Sequence, residues 1–260
     1  MAKSYDESTI QTLDALNHIR MRPGMYIGRL GDGTHYDDGI YVLLKEIIDN
    51  CIDEYIMRHG TAVDINIDYE ANTVSIRDYG RGIPLGKVID CVSQINTGAK
   101  YNDDVFQFSV GLNGVGSKAV NALSQSFFVR SVREKKFFEA RFERGILQGK
   151  KEGKTKELNG TYVEFIPDED IFKKYHFNEE HISKRIWHYA YLNTGLTLNF
   201  NGEKILSKNG LLDLLNYEVT DDKLYEPLYY RDNGIEFAFL HTHSYGETHF
   251  SFTNGQYTVD

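Results

Sequence analysis

The stretch that decides the fold is DGIYVLLKEIIDNCIDEYIMR, residues 38–58. Its apolar residues recur at steps of three and four, which is the spacing of a helix that buries one stripe of its surface. Four polar residues follow the steps i, i+3, i+4 and i+7 and therefore line up on another side of that helix: Glu46, Asp49, Asn50 and Asp53. Taken alone, such a polar row is typical of a solvated helix surface, and the rest of the chain decides whether it forms the wall of a site.

The composition limits the classes of protein to which the chain can belong. Its 260 residues suffice for one large domain, or for one domain and part of a second. The 29 Lys and Arg residues against 38 Asp and Glu residues give a net charge of -9. This balance argues against extensive wrapping of a nucleic-acid backbone, but not against a local basic groove or a nucleotide ligand.

A cytoplasmic protein without a membrane partner is expected. No apolar run in the sequence reaches membrane-spanning length, and residues 1–9, MAKSYDEST, lack the basic-then-apolar profile of a signal peptide. Cys51 and Cys91 lie in apolar surroundings without metal-ligand spacing, which is typical of thiols packed as small hydrophobic residues in a cytosolic chain.

Helix and strand patterns follow one another in a mixed order. Ala62–Asp68 and Thr73–Asp78 alternate around a short turn, which predicts a hairpin. Further predicted elements are helices at residues 10–19, 85–95, from 117 and 179–193, and strands at residues 126–132, 136–142, 161–166 and 196–200. The basic segment at residues 149–160, GKKEGKTKELNG, is interpreted as a solvated loop. Because helices and strands do not alternate, the sequence predicts an α+β fold with helices over one face of a mixed, mostly antiparallel sheet.

A domain boundary is predicted near Thr220. Around Tyr225 the sequence changes to new β-type segments, GIEFAFLHT and THFSFTNGQYTV. Residues 1–220 are therefore assigned to one domain, and residues 221–260 to the beginning of a second domain that is cut short.

Asp78 is the first candidate for a binding residue. It shares one face of its strand with Val74 and Ile76, so the carboxylate points toward the core, where it must find hydrogen-bond donors. It either caps the turn at residues 79–82 or accepts a hydrogen bond from a ligand, for instance the amino group of adenine. The two glycines of that turn would let a flat base approach the backbone. Thr161 occupies a similar inward position on a later strand, where its hydroxyl is either satisfied locally or part of the same site.

A glycine-rich segment, GLNGVGS at residues 111–117, precedes a predicted helix and is here named the lid. Exposed backbone N–H groups and the positive end of a helix favour phosphates. The spacing is neither that of a dinucleotide-binding motif nor that of a Walker loop. Lys100, upstream of the lid, either reaches an anionic ligand or is solvated. His241 and His243 could share a strand face, but no metal-binding or nucleophilic cluster stands out in the sequence.

Six motifs in a fixed order resemble a known family: RPGMYIG, KEIIDNCIDE, RDYGRGIP, TGAK, GLNGVGSKAVNALS and NGTYVEF. They resemble the ATPase region of the B subunit of bacterial type IIA DNA topoisomerases, gyrase and topoisomerase IV. More broadly they resemble the GHKL ATPase superfamily, which includes the Hsp90 chaperones, MutL and histidine kinases. The resemblance extends from Tyr5 over almost the whole chain. It implies a Bergerat-type two-layer α+β sandwich followed by the start of a transducer domain.

The resemblance also implies roles for individual residues. Glu46 would be the general base that activates the water attacking the γ-phosphate of ATP. Asn50 would hold Mg²⁺ through its amide oxygen. Asp78 would bind adenine, assisted by Thr161 and an ordered water. Tyr5 would lie on an N-terminal arm that crosses to a partner subunit and touches its nucleotide.

The remaining implied contacts surround the nucleotide. Arg81 would lie over the mouth of the pocket, Arg133 at its rim, and Lys100 near the phosphates. The pocket wall and the lid would be formed by Gly82, Ile83, Pro84, Gly111, Leu112, Asn113, Gly114, Val115, Gly116 and Ser117. The lid departs from the commonest family form, which has histidine in place of Asn113.

The implied function is an ATP-binding and ATP-hydrolysing module whose closure into a homodimer drives DNA strand passage. The module would work in a heterotetramer with an A-type cleavage subunit, with DNA as the substrate of the complex. The short segment between Pro84 and Lys100 favours topoisomerase IV over gyrase. The family's transducer lysine and cleavage domain do not follow Asp260, so the chain is expected to be an N-terminal fragment that binds ATP but hydrolyses it poorly.

Two alternatives on the same fold remain. A histidine-phosphotransfer enzyme would need a dimerisation helix with a phosphoacceptor histidine, and no such helix is evident in the sequence. A nucleotide-gated clamp of the chaperone or mismatch-repair type would signal by dimerising, with hydrolysis incidental.

Overall fold

The computed structural model describes residues 14–95, 97 and 114–258. The helices in this part are α1 (Ala15–Met21), α2 (Gly24–Ile27), α3 (Gly39–Ile56), α4 (Val88–Ser93), α5 (Gly116–Ala122), α6 (Glu169–Phe172), α7 (Glu179–Leu192) and α8 (Leu211–Glu218). The strands are β1 (Ala62–Asp68), β2 (Thr73–Asp78), β3 (Ser124–Arg133), β4 (Lys136–Glu143), β5 (Ile146–Lys154), β6 (Gly160–Pro167), β7 (Thr197–Phe200), β8 (Glu203–Ile205), β9 (Leu228–Asp232), β10 (Ile235–Phe239), β11 (Phe252–Thr253) and β12 (Gln256–Tyr257).

The main sheet has eight strands in the order β5-β4-β3-β6-β2-β1-β7-β8. Its neighbours pair antiparallel except for β1 and β7, which run parallel. The predicted hairpin is confirmed residue for residue as β1 and β2, with Ile65 opposite Ile76. The prediction of a mixed, mostly antiparallel sheet in an α+β fold is therefore confirmed.

The hydrophobic core lies between the helices and one face of this sheet. The apolar stripe of α3 is buried as predicted, and Ile40, Leu43, Leu44, Ile48 and Ile52 have no exposed surface. They belong to one cluster with inward-facing strand residues and with residues of α5 and α7. Each large aliphatic side chain that moves from water into such a core contributes about 1.5–3 kcal/mol, so this stripe fixes the position of α3 on the sheet.

The predicted loop at residues 149–160 is wrong in its first half, because residues 149–154 belong to β5. This strand pairs with β4 along its length, with Lys154 opposite Lys136, and all nine of its residues are exposed. Neither face of β5 is covered, so its sequence shows no apolar alternation, and backbone pairing alone holds it. Lysines on an exposed edge strand also discourage pairing with another chain.

The predicted helix at residues 85–95 also differs from the structure. The helix expected at residues 85–95 consists of a 3₁₀ turn, Leu85–Lys87, followed by α4. Asp38 occupies the N-cap position of α3, but its side chain makes no capping hydrogen bond. Instead its carboxylate accepts hydrogen bonds from the backbone N–H groups of Gly33 at 2.9 Å and His35 at 3.2 Å, which fixes the preceding loop.

Two small hairpins follow α8. They are formed by β9 with β10 and by β11 with β12. His188 on α7 packs against the rings of Phe252 and Tyr257, so the second hairpin contacts the first 220 residues. The domain boundary near Thr220 stays a prediction. Within the described ranges, the helices are too short or too polar to cross a membrane.

Candidate functional site

A cavity of about 400 Å³ opens between α3, the turn after β2, α4 and α5. Its wall contains Glu46, Ile47, Asn50, Cys51, Asp53, Glu54, Ile76, Asp78, Arg81, Gly82, Ile83, Pro84, Cys91, Val92, Thr97, Gly114, Gly116, Ser117, Lys118, Arg133, Thr161 and Val163. Most of the apolar wall residues come from the sheet, α3 and α4, and most of the polar wall residues come from α3, the turn after β2 and α5. This combination suits a ligand with a flat apolar part and a charged part.

Asp78 lies at the apolar part of the cavity and is only 5% exposed. Its Oδ1 accepts a hydrogen bond from the backbone N–H of Gly80 at 2.8 Å, and its Oδ2 accepts one from the backbone N–H of Thr161 at 3.2 Å. Burial raises the pKa of Asp78 to about 6, although these two hydrogen bonds oppose the rise. The carboxylate therefore fastens the turn and at the same time faces the cavity.

The turn after β2 is held against β3 by close backbone packing. Gly82 has a φ of +74°, and a Cβ there would lie 2.6 Å from the carbonyl oxygen of Val132, so only glycine fits. Ser131 donates a hydrogen bond to the carbonyl of Ile83 at 2.6 Å, and Arg133 donates one to the carbonyl of Gly82 at 2.9 Å. These contacts set the width of the cavity on this side and hold Arg133 at its rim.

Arg81 is anchored by Glu54 from the last turn of α3. Its guanidinium Nη2 lies 2.9 Å from Glu54 Oε1, and its backbone N–H donates to Oε2 at 2.8 Å. Burial alone would raise the pKa of Glu54, but the hydrogen bonds and charge of Arg81 outweigh it and lower the pKa. Both residues line the cavity, so this ion pair closes the end of its wall.

Glu46 and Asn50 face the cavity one helical turn apart on α3. The side-chain nitrogen of Asn50 donates to the backbone carbonyl of Glu46 at 2.8 Å, which orients the amide. The carboxylate of Glu46 lies against Gly116, where a Cβ would come within 1.8 Å of Oε2. Glu46 in the polar row of α3 therefore lies against Gly116 at the start of α5, on the side of the cavity that carries charged residues.

Asp49 does not belong to this wall. Asp49 is 1% exposed and binds Lys45 Nζ at 2.7 Å and the Tyr189 hydroxyl at 2.5 Å. At 100° per residue Asp49 lies 60° from Glu46, on the side away from Asn50, which turns it toward α7. Burial raises the pKa of Tyr189, and the charge of Asp49 adds to the rise.

Three side chains of α5 fasten it to α4 and the segment that follows. Ser117 donates to the carbonyl of Cys91 at 3.0 Å, Asn121 to that of Val92 at 2.9 Å, and Lys118 to that of Thr97 at 2.7 Å. Burial raises the pKa of the Cys91 thiol, and the positive charge of Lys118 opposes that rise.

The structure brings twelve of the predicted site residues into one wall: Glu46, Asn50, Asp78, Arg81, Gly82, Ile83, Pro84, Gly114, Gly116, Ser117, Arg133 and Thr161. Val115 packs against the hydrophobic core instead. The predictions for Tyr5, Lys100, Gly111, Leu112 and Asn113 lie outside the described residues.

Several wall residues were not among the predicted site residues. Ile76 and Val163 could have been added, because they share strand faces with Asp78 and Thr161. Glu54 lies one turn beyond Asn50 on the predicted polar side. Nothing in the sequence around Lys118 distinguishes it from a solvated lysine.

The cavity joins a buried carboxylate at an apolar wall to a glutamate–asparagine pair that lies against the start of a helix, on a helix-covered sheet. The family model described as "Histidine kinase-, DNA gyrase B-, and HSP90-like ATPase" matches residues 35–171. The chain belongs to this family of ATPases, as the resemblance implied.

Particular relatives are B subunits of type IIA topoisomerases. The chain is 62% identical over 259 residues to the B subunit of DNA topoisomerase 4 from Borreliella burgdorferi, a match that covers 99% of this chain and 43% of that protein. It is 31% identical over 280 residues to the B subunit of DNA gyrase from Campylobacter jejuni, covering 100% of this chain and 36% of the relative. The chain thus spans less than half the length of these relatives.

A solved structure shows the same fold. It is the crystal structure of the 43K ATPase domain of Thermus thermophilus gyrase B in complex with an aminocoumarin. The match has a TM-score of 0.74 and 28% sequence identity, and it covers 94% of this chain and 67% of that chain. The GHKL architecture predicted from the ordered motifs is confirmed.

Proposed function

We propose that the chain is the ATP-binding and ATP-hydrolysing module of the B subunit of a type IIA DNA topoisomerase. The observation that carries the proposal is the single cavity that joins buried Asp78 to the Glu46–Asn50 pair. Asp78 lies beside Cys51. Cys51 follows Glu46 by five residues, so the two are about 7–8 Å apart along the axis of α3. That separation suits a ligand with a base at one end and phosphates at the other.

The adenine of ATP would lie against Asp78 and Thr161. The ionised carboxylate accepts a hydrogen bond from the exocyclic amino group, while Ile76 and Val163 provide an apolar surface for the ring. Arg81 and Arg133 would lie at the mouth and rim.

Glu46 is the general base of the proposed reaction. Its carboxylate accepts a proton from the water that attacks the γ-phosphate, and Gly116 and Lys45 restrict where that carboxylate can lie. Lys100 and residues 111–113 would complete the phosphate site, as the resemblance implies.

Asn50 would hold Mg²⁺ through its amide oxygen. The wall beside it offers oxygen ligands, which suit this ion. In the described residues no three His, Cys, Asp or Glu side chains form a metal cluster, so phosphates and water would have to supply the other ligands. When bound, the ion neutralises phosphate charge.

The assembly proposed for the full-length protein rests on its similarity to B subunits of topoisomerase IV and gyrase. Residues 1–220 would form the ATP-binding domain with its arm at Tyr5, and residues 221–260 would begin the transducer domain. ATP binding would close a homodimer, and an A-type subunit would complete a cytoplasmic heterotetramer that acts on DNA. The 62% identity to a topoisomerase IV relative, against 31% to a gyrase relative, supports the topoisomerase IV branch.

The first test replaces Glu46 by glutamine, which keeps its shape but removes the base. We expect ATP binding within about threefold of wild type and turnover reduced by about 10²–10⁴. Binding is measured on this chain, and turnover on a full-length subunit with its cleavage partner. Glu70→Gln, on the exposed turn between β1 and β2, is the matched control. Unchanged turnover in Glu46→Gln would remove Glu46 from the mechanism.

The second test uses the same assembly on relaxed and on catenated DNA. Decatenation without supercoiling would support topoisomerase IV, and supercoiling would indicate gyrase. ATP-dependent dimerisation without any change in DNA topology would favour the nucleotide-gated clamp.

A further inference from the structure

One ammonium group, that of Lys45, lies between two carboxylates of the polar row of α3. Its Nζ is 2.7 Å from Oδ2 of Asp49 and 3.8 Å from Oε1 of Glu46. Asp49 is 1% exposed, and its other oxygen accepts a hydrogen bond at 2.5 Å from the hydroxyl of Tyr189 on α7. Tyr189, Asp49 and Lys45 therefore form a chain of contacts that leads from α7 to the proposed general base.

The α7 end of this chain of contacts is fixed by burial. Tyr189 belongs to the hydrophobic core together with Ile182, Ile186 and Ala190 of the same helix. Burial raises the pKa of Tyr189, so its hydroxyl keeps the proton that it donates to Asp49. Asp49 thus has a fixed hydrogen-bond donor on a neighbouring helix.

This arrangement orders the Lys45 side chain. The side chain is 18% exposed, and the side chain of its partner Asp49 is 1% exposed. An exposed ion pair contributes only about 0–1 kcal/mol, partly because two long side chains must be ordered to form it. Because Asp49 already holds the ammonium group, Glu46 meets a cation at a fixed position, and less conformational entropy is lost in their contact.

The three supporting residues lie outside the cavity wall. Among the residues that the structure describes, this wall includes Glu46 but not Lys45, Asp49 or Tyr189. Any effect of these three side chains on a nucleotide in the cavity would therefore pass through the carboxylate of Glu46.

The Glu46 carboxylate is constrained from two sides. Gly116 leaves room for it on the side of α5, and Lys45 attracts it on the side of α7. The glutamate side chain has several rotatable bonds and is 27% exposed, so without such contacts it would sample other rotamers. A general base is effective only within hydrogen-bond reach of the water that it deprotonates, and packed or charged neighbours hold it there.

We propose that Lys45 is a positioning residue: held by Asp49 and Tyr189, its ammonium group fixes the Glu46 carboxylate in the orientation that accepts a proton from the attacking water. This inference rests on the proposed function and adds to it the support of the general base. Neither Lys45 nor Tyr189 is among the contacts that the family resemblance implies.

The experiment separates turnover from binding. ATP turnover is measured on a full-length subunit with its cleavage partner, and ATP affinity by calorimetry on this chain. Lys45→Met keeps the length of the side chain and removes its charge. We expect turnover to fall about tenfold, because the base loses part of its alignment, and ATP affinity to stay within about twofold.

Three further variants separate positioning from folding. Lys45→Arg keeps the charge, and we expect its turnover to stay within about threefold of wild type. Tyr189→Phe keeps the buried ring and removes only the hydroxyl, and we expect turnover to fall about threefold with unchanged ATP affinity. Lys87→Met removes a 65%-exposed lysine that pairs with Asp90, and we expect it to match wild type in both measurements.

A double variant tests whether Lys45 acts through Glu46. In a Glu46→Gln background there is no carboxylate to orient, so adding Lys45→Met should leave the residual turnover within about twofold. A tenfold loss in both backgrounds would show that Lys45 acts independently of Glu46 and would overturn the inference.

The other outcomes are also distinct. Unchanged turnover in Lys45→Met would overturn the inference, and so would parallel losses of turnover and ATP affinity, which indicate a structural role. Failure of the wild-type chain to bind ATP would overturn the proposed function itself.

Discussion

Gly116 lies so close to Glu46 that a Cβ at position 116 would come within 1.8 Å of the Glu46 Oε2 atom. Such a distance is impossible for real atoms, so either the carboxylate or α5 must move when a side chain is added. The absence of a side chain at residue 116 therefore positions the proposed general base.

Gly116→Ala is expected to reduce ATP turnover by about 100-fold, because a catalytic group displaced by about 1 Å loses its alignment with the reacting water. Adenosine affinity should stay within about threefold, because Asp78 and its hydrogen bonds are untouched. Steady-state turnover in the full-length assembly and calorimetry on this chain measure the two effects. Gly86→Ala is the control, since a Cβ there meets nothing within 4 Å. Equal turnover in the two variants would contradict the steric account.

ATP affinity should depend on pH through Asp78. Burial raises the pKa of Asp78 to about 6, so the carboxylate is ionised at pH 7.5 and mostly protonated at pH 5. Only the ionised form offers both oxygens as acceptors, so the affinity for ATP should fall as the pH decreases through 6. Well below pH 6, the decrease in ATP affinity should approach about tenfold for each pH unit. Calorimetry between pH 5 and 8 measures this. Asp78→Asn should bind weakly at every pH and lose the dependence, and an unaltered pH profile in that variant would assign the effect to another group.

The same carboxylate should make the ligand-free protein more stable at mildly acidic pH. The folded-state pKa of Asp78 lies above the ordinary value of 3.8, so its contribution is fully present below pH 4 and is lost as pH rises through 6. The difference of roughly two pH units corresponds to about 3 kcal/mol in the free energy of unfolding. Urea unfolding of wild type and Asp78→Asn between pH 4.5 and 7.5 measures it. We expect the free energy of unfolding to depend less steeply on pH in Asp78→Asn than in wild type over this range. The same pH dependence in both proteins would contradict the assignment.

Asp168 should be a major source of stability outside the site. It is fully buried and binds Arg20 at 2.7 Å and Arg144 at 2.9 Å, which joins α1 to the segments after β4 and β6. Burial alone would raise the pKa of Asp168, but the two guanidinium groups outweigh it and lower the pKa. Its stabilisation is therefore present above pH 4 and is lost as pH falls below that value.

Asp168→Asn is expected to lower the free energy of unfolding by about 3 kcal/mol, because two arginines lose a buried partner. Asp170→Asn also removes a partner of Arg144, but Asp170 is 71% exposed, so a change below about 1 kcal/mol is expected. Urea unfolding at pH 7 compares the two. Similar losses in both variants would show that burial is not what makes Asp168 important. ATP affinity should be unchanged in either variant.

The sequence predicted those elements whose own residues show the periodicity of a strand or helix with one buried face. The β1–β2 hairpin was predicted to the residue because one face of each strand is buried and the other is not. The buried stripe of α3 and the inward position of Asp78 follow from the same local periodicity. The ordered motifs then assigned Glu46, Asn50 and Thr161 to one site, and the structure places these side chains in one wall.

The missed features depend on contacts between distant parts of the chain. Asp49 is turned away from the cavity by Tyr189, which lies 140 residues further along the chain. Lys118 owes its burial to the packing of α5 against α4 and Thr97, which its neighbours in sequence do not reveal. β5 has no buried face, so its residues resemble those of a loop, and only its pairing with β4 makes it a strand.

The exposed edge formed by β5 has a consequence for how two copies of this chain can associate. If a second copy paired with this edge in an antiparallel arrangement, two strands that each carry three lysines and one glutamate (Lys150, Lys151, Glu152 and Lys154) would lie side by side, and their net positive charges would repel. A continuous sheet running through two copies is therefore disfavoured at this edge. The homodimer proposed to close on ATP binding is therefore expected to form through other surfaces.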